Sequence, residues 1–348
     1  MTNFMVQRIQ ALPPAYFAMI LATGIISIGA SKYGWPGIAQ ALVVVNVVAY
    51  VALLILNGIR IVKWWPVIRT QFEDPRVAPG FLTFVAGTNV LANQLLVVTG
   101  SRTAGWVGGA VGLLFWVGLI YLFSFQMTLS PKKGDGNIPI TGAWLLMTVS
   151  TQSFSVLCSN LARGSDFQAE LVVWALMFFL LGVAFYALIL PKIALGLFFQ
   201  PFEPTDLTPP YWINIGAAAI SVLAGANLIT FHESDPLFGT FLPFVRGLIL
   251  LLWVVGTWWW PLLLMLGVWK HVWRKVPLRY DPQLWSMVFP MGMYSVCTTV
   301  LAVALGIPRL NLIPRGIFPL ATLAWALVAV GLVLRILNSM SEGKVDSR

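Results

Sequence analysis

Long apolar runs recur along the whole chain and are separated by short polar segments. Residues 171–190 and 248–268 are almost continuously apolar, without the alternation that a membrane β-strand of about ten residues would show. Each run is close to the about 20 residues that an α-helix needs to cross a bilayer. The pattern therefore predicts membrane-spanning helices.

Ten runs are long enough to span the membrane. They cover residues 13–31, 38–61, 79–100, 105–127, 140–161, 170–190, 210–231, 244–269, 283–305 and 316–337. A second span follows the first almost at once, so we interpret the first as a retained helix and not as a signal peptide. The longest polar stretches are only loop-sized, which predicts a single transmembrane domain over residues 1–348.

Uncharged polar residues are concentrated in every second span. Windows of 22 residues over the five odd-numbered spans hold 27 Ser, Thr, Asn and Gln residues, whereas the five even-numbered windows hold 7. Because polar side chains avoid lipid, we expect the odd spans to face the protein interior or an aqueous path, inside a jacket of even spans. The alternative is that these side chains only fasten helices together.

Prolines mark the start of the odd-numbered spans at regular intervals. Pro13, Pro79, Pro139, Pro209 and Pro282 follow one another at spacings of 66, 60, 70 and 73 residues. Proline is favoured at a first helical turn, where its missing N–H costs no hydrogen bond. The repeat predicts five helical hairpins at about residues 13–61, 79–127, 139–190, 209–269 and 282–337.

Composition and charge fit this topology. Hydrophobic residues make up 59% of the chain and charged residues 9%, with a mean hydropathy of +0.85, so lipid must be its main solvent. Of the 21 Lys and Arg residues, 15 fall on one side of the predicted spans and 6 on the other. The positive-inside rule then places both termini in the cytoplasm of a multi-pass cell-membrane protein. The basic residues form no dense stripe, which disfavours nucleic acid as a partner.

Residues for enzymatic chemistry are scarce. His232 and His271 lie on opposite predicted sides, and all twelve Asp and Glu residues fall in loops or at helix ends. There is no metal-binding or nucleophile motif, so we predict no cofactor and rank an intramembrane enzyme third among the possible functions. Cys158 and Cys297 lie inside predicted spans, where a structural disulfide is not expected.

An interior lined by hydroxyls and amides, with basic residues at its mouths and no buried carboxylate, suits a small anion that crosses passively. The candidate pore-lining residues are Thr23, Ser27, Thr88, Asn93, Thr148, Gln152, Asn214, Ser221, Ser295 and Thr298. The candidate basic residues at the outer mouth are Lys32, Arg102, Arg163 and Arg309, whose alternative role is that of ordinary helix-end charges.

Three segments resemble the tellurite-resistance and dicarboxylate transporter family, which includes plant slow-type anion channels, bacterial tellurite-resistance channels, yeast malate permeases and fungal sulfite pumps. They are LPPAYFAMILATGIIS at residues 12–27, PPYWINIGAAAIS at 209–221 and LWSMVFPMGMYS at 284–295. The resemblance implies five hairpins in a quasi-fivefold array, odd helices around a central pore, and a homotrimer with one pore in each protomer.

The resemblance also implies a gate on the ninth span, at Phe289 followed by Pro290. Pro290 removes a helical hydrogen bond and can bend the helix, and an apolar constriction can gate by dewetting. The leading hypothesis is thus a passive anion channel or uniporter gated by a phenylalanine. The second hypothesis is a secondary carrier for four-carbon dicarboxylates, tellurite or sulfite. A coupled carrier should have a charged binding site near the middle of the membrane, and the sequence shows none.

Overall fold

The computed structural model describes residues 3–129, 140–231 and 236–345, and it contains no β-strand within them. The positions Pro139, Lys132, Lys133, His232 and Arg348 lie outside the described residues. The α-helices are α1 (Asn3–Gln10), α2 (Ala18–Lys32), α3 (Pro36–Lys63), α4 (Trp65–Glu73), α5 (Leu82–Thr99), α6 (Arg102–Leu129), α7 (Leu146–Ala162), α8 (Gln168–Phe199), α9 (Ile213–Ile229), α10 (Pro236–Val268), α11 (Trp285–Ala304) and α12 (Leu312–Val345).

Within the described residues, nine helical segments are long and apolar enough to cross a membrane. This confirms an all-helical membrane protein. The fifth predicted span, residues 140–161, corresponds to α7, which is not among the nine. That helix has 17 residues and carries the polar run TVSTQSFS at positions 148–155, which lowers its hydropathy.

Burial separates the helices into two groups, which we call inner (α2, α5, α7, α9 and α11) and outer (α3, α6, α8, α10 and α12). In the four inner segments among the nine, 67–94% of the most apolar window is buried, against 17–44% in the five outer segments. All residues of α7 from Leu146 to Leu157 are also buried. The inner helices are the odd-numbered predicted spans, so their polar side chains are enclosed by protein.

The inner helices form a closed ring of neighbours. In chain order each packs against the next, and α11 packs back against α2. Each inner helix also packs against the outer helix that follows it in the chain. The outer helices thereby place their apolar surface toward the membrane, as exposed side chains such as Leu114 and Leu188 illustrate.

A short 3₁₀ turn precedes each inner helix. The five turns are Pro14–Phe17, Ala78–Phe81, Gly142–Leu145, Pro209–Trp212 and Pro282–Leu284. Each turn contacts the next in chain order, and the fifth contacts the first. Because all five helices start from this one ring of turns, they run parallel to one another. The prolines predicted to open the odd spans lie in or beside these turns, apart from the undescribed Pro139.

Several helices extend beyond their predicted bounds. The sixth predicted span ends at residue 190, but α8 continues through Pro191 to Phe199. Likewise, α12 is longer than residues 316–337 at both ends. The short helices α1 and α4 and a π-helical turn at Trp269–Trp273 were not predicted. The prediction relied on long apolar runs, and these three elements are too short or too amphipathic to form one.

Candidate functional site

Phe289 and Pro290 lie inside α11, in the inner ring. Phe289 is 3% exposed, and both residues face Gly216 on the neighbouring helix α9. A Cβ atom placed on Gly216 would lie 3.4 Å from two atoms of the Phe289 ring and 2.9 Å from Cγ of Pro290. The absence of a side chain at Gly216 therefore allows the Phe289–Pro290 step to pack closely on the backbone of α9.

One aromatic side chain of each outer helix forms a hydrogen bond to an inner helix. In each case an aromatic residue of one inner–outer pair bonds to the inner helix of the next pair around the ring. The bonds are Trp325 Nε1 to Thr23 Oγ1 (3.0 Å), Tyr50 to Thr88 through their hydroxyls (2.7 Å), Trp116 Nε1 to Thr151 Oγ1 (3.0 Å), Tyr186 OH to the carbonyl of Asn214 (3.3 Å) and Trp253 Nε1 to Thr298 Oγ1 (3.0 Å). These five hydrogen bonds connect the outer helices to the ring of inner helices.

The ten candidate pore-lining residues all lie on inner helices, and each is at most 7% exposed. Five of them bond to outer helices: Thr23, Thr88 and Thr298 as above, Ser27 by donating to the carbonyl of Ala39, and Gln152 by donating to the carbonyl of Phe179. These side chains point toward the outer helices. This favours the alternative that they hold neighbouring helices together and do not line a path.

The other five candidates have different surroundings. Ser295 bonds to Tyr33, and Asn93 accepts a hydrogen bond of 2.7 Å from Asn160. Asn214 and Ser221 donate to carbonyls within their own helical turns, those of Tyr211 and Ala217. For these four residues the pore-lining role stays a prediction.

Two hydroxyls of α7 have no hydrogen-bond partner although they are fully buried, those of Thr148 and Ser155. They are seven residues apart and so lie on nearly the same face of the helix. A buried hydroxyl without a partner costs free energy, and such groups call for an explanation. This face lies between Thr151 and Gln152, whose side chains bond to the outer helices α6 and α8, so both hydroxyls are directed toward the outer helices and not toward the centre of the ring.

The four candidate mouth residues lie near the C-terminal ends of inner helices, opposite the ring of 3₁₀ turns. Lys32 ends α2, while Arg163 follows α7 and Arg309 follows α11; all three are exposed. Arg102 is half-buried and donates to the carbonyls of Leu161 and Arg163 at the end of α7. Arg102 therefore acts as a helix cap, whereas the other three leave their charges free of ion pairs within the described chain.

Cys158 and Cys297 are both free thiols. Among the described residues, no cluster of His, Cys, Asp and Glu could hold a metal ion.

Sequence reasoning missed the five aromatic donors, because only Ser, Thr, Asn and Gln were counted as polar. Trp116, Trp253 and Trp325 each sit within an otherwise apolar outer helix. An indole N–H inside a membrane favours an acceptor, and these three donate to neighbouring helices, whereas Trp260 of α10 has no such partner. The threonines that accept from them could have been assigned to packing on this basis.

Comparison with known proteins gives consistent results over nearly the whole chain. A family profile described as voltage-dependent anion channel matches residues 11–333. An uncharacterized transporter of Methanocaldococcus jannaschii is 22% identical over 352 residues, which cover 95% of each chain. An uncharacterized membrane protein of Mycobacterium tuberculosis, from two strains, is 39% identical over 137 residues, covering 39% of this chain and 69% of the relative.

Proposed function

This chain belongs to the voltage-dependent anion channel family. On that premise, we propose that the protein conducts small anions passively through a path inside the ring of inner helices. The family establishes a membrane transporter of anions and confirms the resemblance seen in the sequence. The location of the path, the passive mode and the gate at Phe289 are our proposal.

The composition of the inner helices carries this proposal. Apart from Lys32, the last residue of α2, none of the five contains Asp, Glu, Lys, Arg or His. An anion inside the ring would therefore meet hydroxyls and amides without repulsion from a buried carboxylate. Exposed cations beyond the C-terminal ends would raise the local concentration of anions at that mouth.

The same composition favours a channel or uniporter over a coupled carrier. Proton-coupled carriers place ionisable groups near the bilayer midplane, and binding two carboxylates calls for paired basic residues. The inner helices offer neither at mid-depth. A carrier for four-carbon dicarboxylates, tellurite or sulfite remains the second candidate, supported by the family resemblance alone.

The position of Phe289 supports the proposed gate. Its ring is the largest apolar side chain at the Phe289–Pro290 step, and it lies at the contact between two inner helices, α11 and α9. A ring that narrows the path there would exclude water and block ions by dewetting. Pro290 cannot donate a backbone hydrogen bond, which leaves α11 freer to move the ring aside.

We further propose that the protein is a homotrimer in the cell membrane, with a pore in each protomer and both termini in the cytoplasm. The trimer rests on the family resemblance, and the orientation rests on the distribution of Lys and Arg. In this orientation the ring of 3₁₀ turns is cytoplasmic, and the ends near Lys32, Arg163 and Arg309 face outward.

Flux measurements on purified protein in liposomes test the proposed function. We expect small monovalent anions to move down an imposed gradient, with a reversal potential that follows the anion, and we expect no change when a pH gradient is added. Flux of malate or sulfite that requires a proton gradient would identify the carrier instead. A reversal potential that follows the cation would contradict both.

Cysteine scanning in a variant without Cys158 and Cys297 tests the lining. We expect a cysteine at Asn93 to react with a small water-soluble thiol reagent, because Asn93 is the most exposed of the ten candidates, at 7%. Cysteine at Phe178 on outer helix α8 is expected to stay unreactive. Equal labelling at the two positions would contradict a path inside the ring next to Asn93.

The same reagent tests the orientation when it cannot cross the membrane. A cysteine at Arg309 is expected to react from outside the cell, and one at Arg76 only after the membrane is opened. The reverse result would overturn the proposed orientation.

A further inference from the structure

The segment of residues 269–279, which we call the basic turn, follows α10 where that helix leaves the membrane. The candidate span Gly239–Trp273 ends within it. Its sequence, WKHVWRKVPLR, holds four Lys or Arg residues and no acid. The turn lies at the end of the bundle that carries the 3₁₀ ring, because Lys270 donates to the carbonyl of Leu207 just before the fourth 3₁₀ turn.

The backbone of the basic turn is held in one conformation. Its first five residues, Trp269–Trp273, form a π-helical turn. The N–H of Arg274 donates to the carbonyl of Trp269 at 2.9 Å, and that of Val276 donates to the carbonyl of Lys270 at 3.1 Å. Lys275 has φ +55°, the only positive φ of a non-glycine residue in the described chain. Such departures from regular backbone are often retained for a function.

The basic turn exposes cationic and apolar side chains side by side. Arg274, Lys275 and Arg279 are exposed, and no carboxylate of the described chain forms an ion pair with them. Next to these cations in the sequence, Trp273 is 72% exposed and Leu278 is 74% exposed. The guanidinium of Arg274 stacks on the Trp269 ring at 5.7 Å, which fixes the charge next to the membrane end of the helix.

We propose that the basic turn is a binding surface for anionic phospholipid headgroups of the leaflet next to the 3₁₀ ring. Lys and Arg side chains that lie beside a membrane span without an ion-pair partner attract anionic lipid headgroups. Exposed Trp and Leu at the same depth insert into the boundary between headgroups and acyl chains. A soluble acidic partner would account for the cations but not for an apolar pair at the depth where the span ends.

The test uses the purified full-length protein in detergent with equal amounts of phosphatidylcholine and phosphatidylglycerol, and quantifies the retained lipids by mass spectrometry. The parent is expected to retain phosphatidylglycerol in preference. Replacement of Arg274, Lys275 and Arg279 by Gln is expected to lower the ratio of the two lipids about threefold or more. These side chains are exposed, so the variant should fold as the parent does.

The matched control replaces Lys63, Arg76 and Lys192 by Gln, three exposed cations on the same proposed side that form no ion pair within the described chain. This control should keep the parental lipid ratio. A second variant, with Ala at Trp273 and Leu278, should lose both lipids to a similar extent. Equal loss of preference in both Gln variants would assign the effect to overall charge and overturn the proposal. Displacement of phosphatidylglycerol by millimolar inorganic phosphate, with no effect of the Ala variant, would overturn it in favour of a soluble anion.

Discussion

Anion flux through the Phe289→Ala variant is expected to exceed that of the parent on the order of tenfold or more, as a barrier lower by about 1.4 kcal/mol would produce. The reason is the position of the ring inside α11, at its contact with Gly216 of α9. Removing the ring widens the proposed path and removes the apolar surface that keeps it dry. The measurement is flux in liposomes per folded protein.

Two further variants distinguish an effect on gating from a general loss of stability. Phe289→Leu should give a smaller rise, because leucine still fills part of the space. Phe179→Ala removes an equally buried ring from outer helix α8, and it should lower stability without raising flux. Because Phe289 also packs on Gly216, its removal will cost some stability, though less than the about 3–5 kcal/mol typical of a fully packed core phenylalanine. The claim is falsified if folded Phe289→Ala conducts no better than the parent under any anion tested.

The sequence predicted the division into inner and outer helices because lipid imposes a simple rule. A helix that touches lipid on most of its surface must be apolar, as residues 169–190 of α8 are, without one Ser, Thr, Asn or Gln. The polar run at residues 148–155 could only be enclosed by protein, and α7 is. Helix ends were harder to predict, since Pro191 does not stop a helix in the jacket.

The direction of individual side chains was much less predictable. Thr88 and Thr148 are both threonines of inner helices, yet one bonds to Tyr50 of α3 and the other has no partner. Which face of a helix meets the jacket depends on the rotation of that helix, and the hydrophobic pattern of an almost fully buried helix carries little information about it. Part of the signal lay in the outer helices, where Trp116, Trp253 and Trp325 donate hydrogen bonds to threonines of the inner helices.

The largest structural effect is expected from Gly142, the first residue of the third 3₁₀ turn. Its Cα lies against the backbone carbonyl of Pro210 in the fourth turn, and an added Cβ would overlap that oxygen and its carbon. A backbone carbonyl cannot rotate away as a side chain can, so the two turns would have to separate. Overpacking of this kind typically costs about 1–3 kcal/mol. Gly142→Ala should therefore lower the thermal unfolding temperature in detergent by several degrees.

Two glycines that have open space around them provide the comparison. Gly58 of α3 and Gly196 of α8 have no heavy atom within 4 Å of a Cβ placed on them. Alanine is the better helix former by about 0.8–1 kcal/mol, so Gly58→Ala and Gly196→Ala should match or exceed the parental stability. Since the five turns contact one another in a closed ring, the strain at Gly142 would also shift the starts of α7 and α9, and flux should fall together with stability. If Gly142→Ala unfolds at the same temperature as the two control variants, the close approach of the third and fourth turns is not a constraint on the ring.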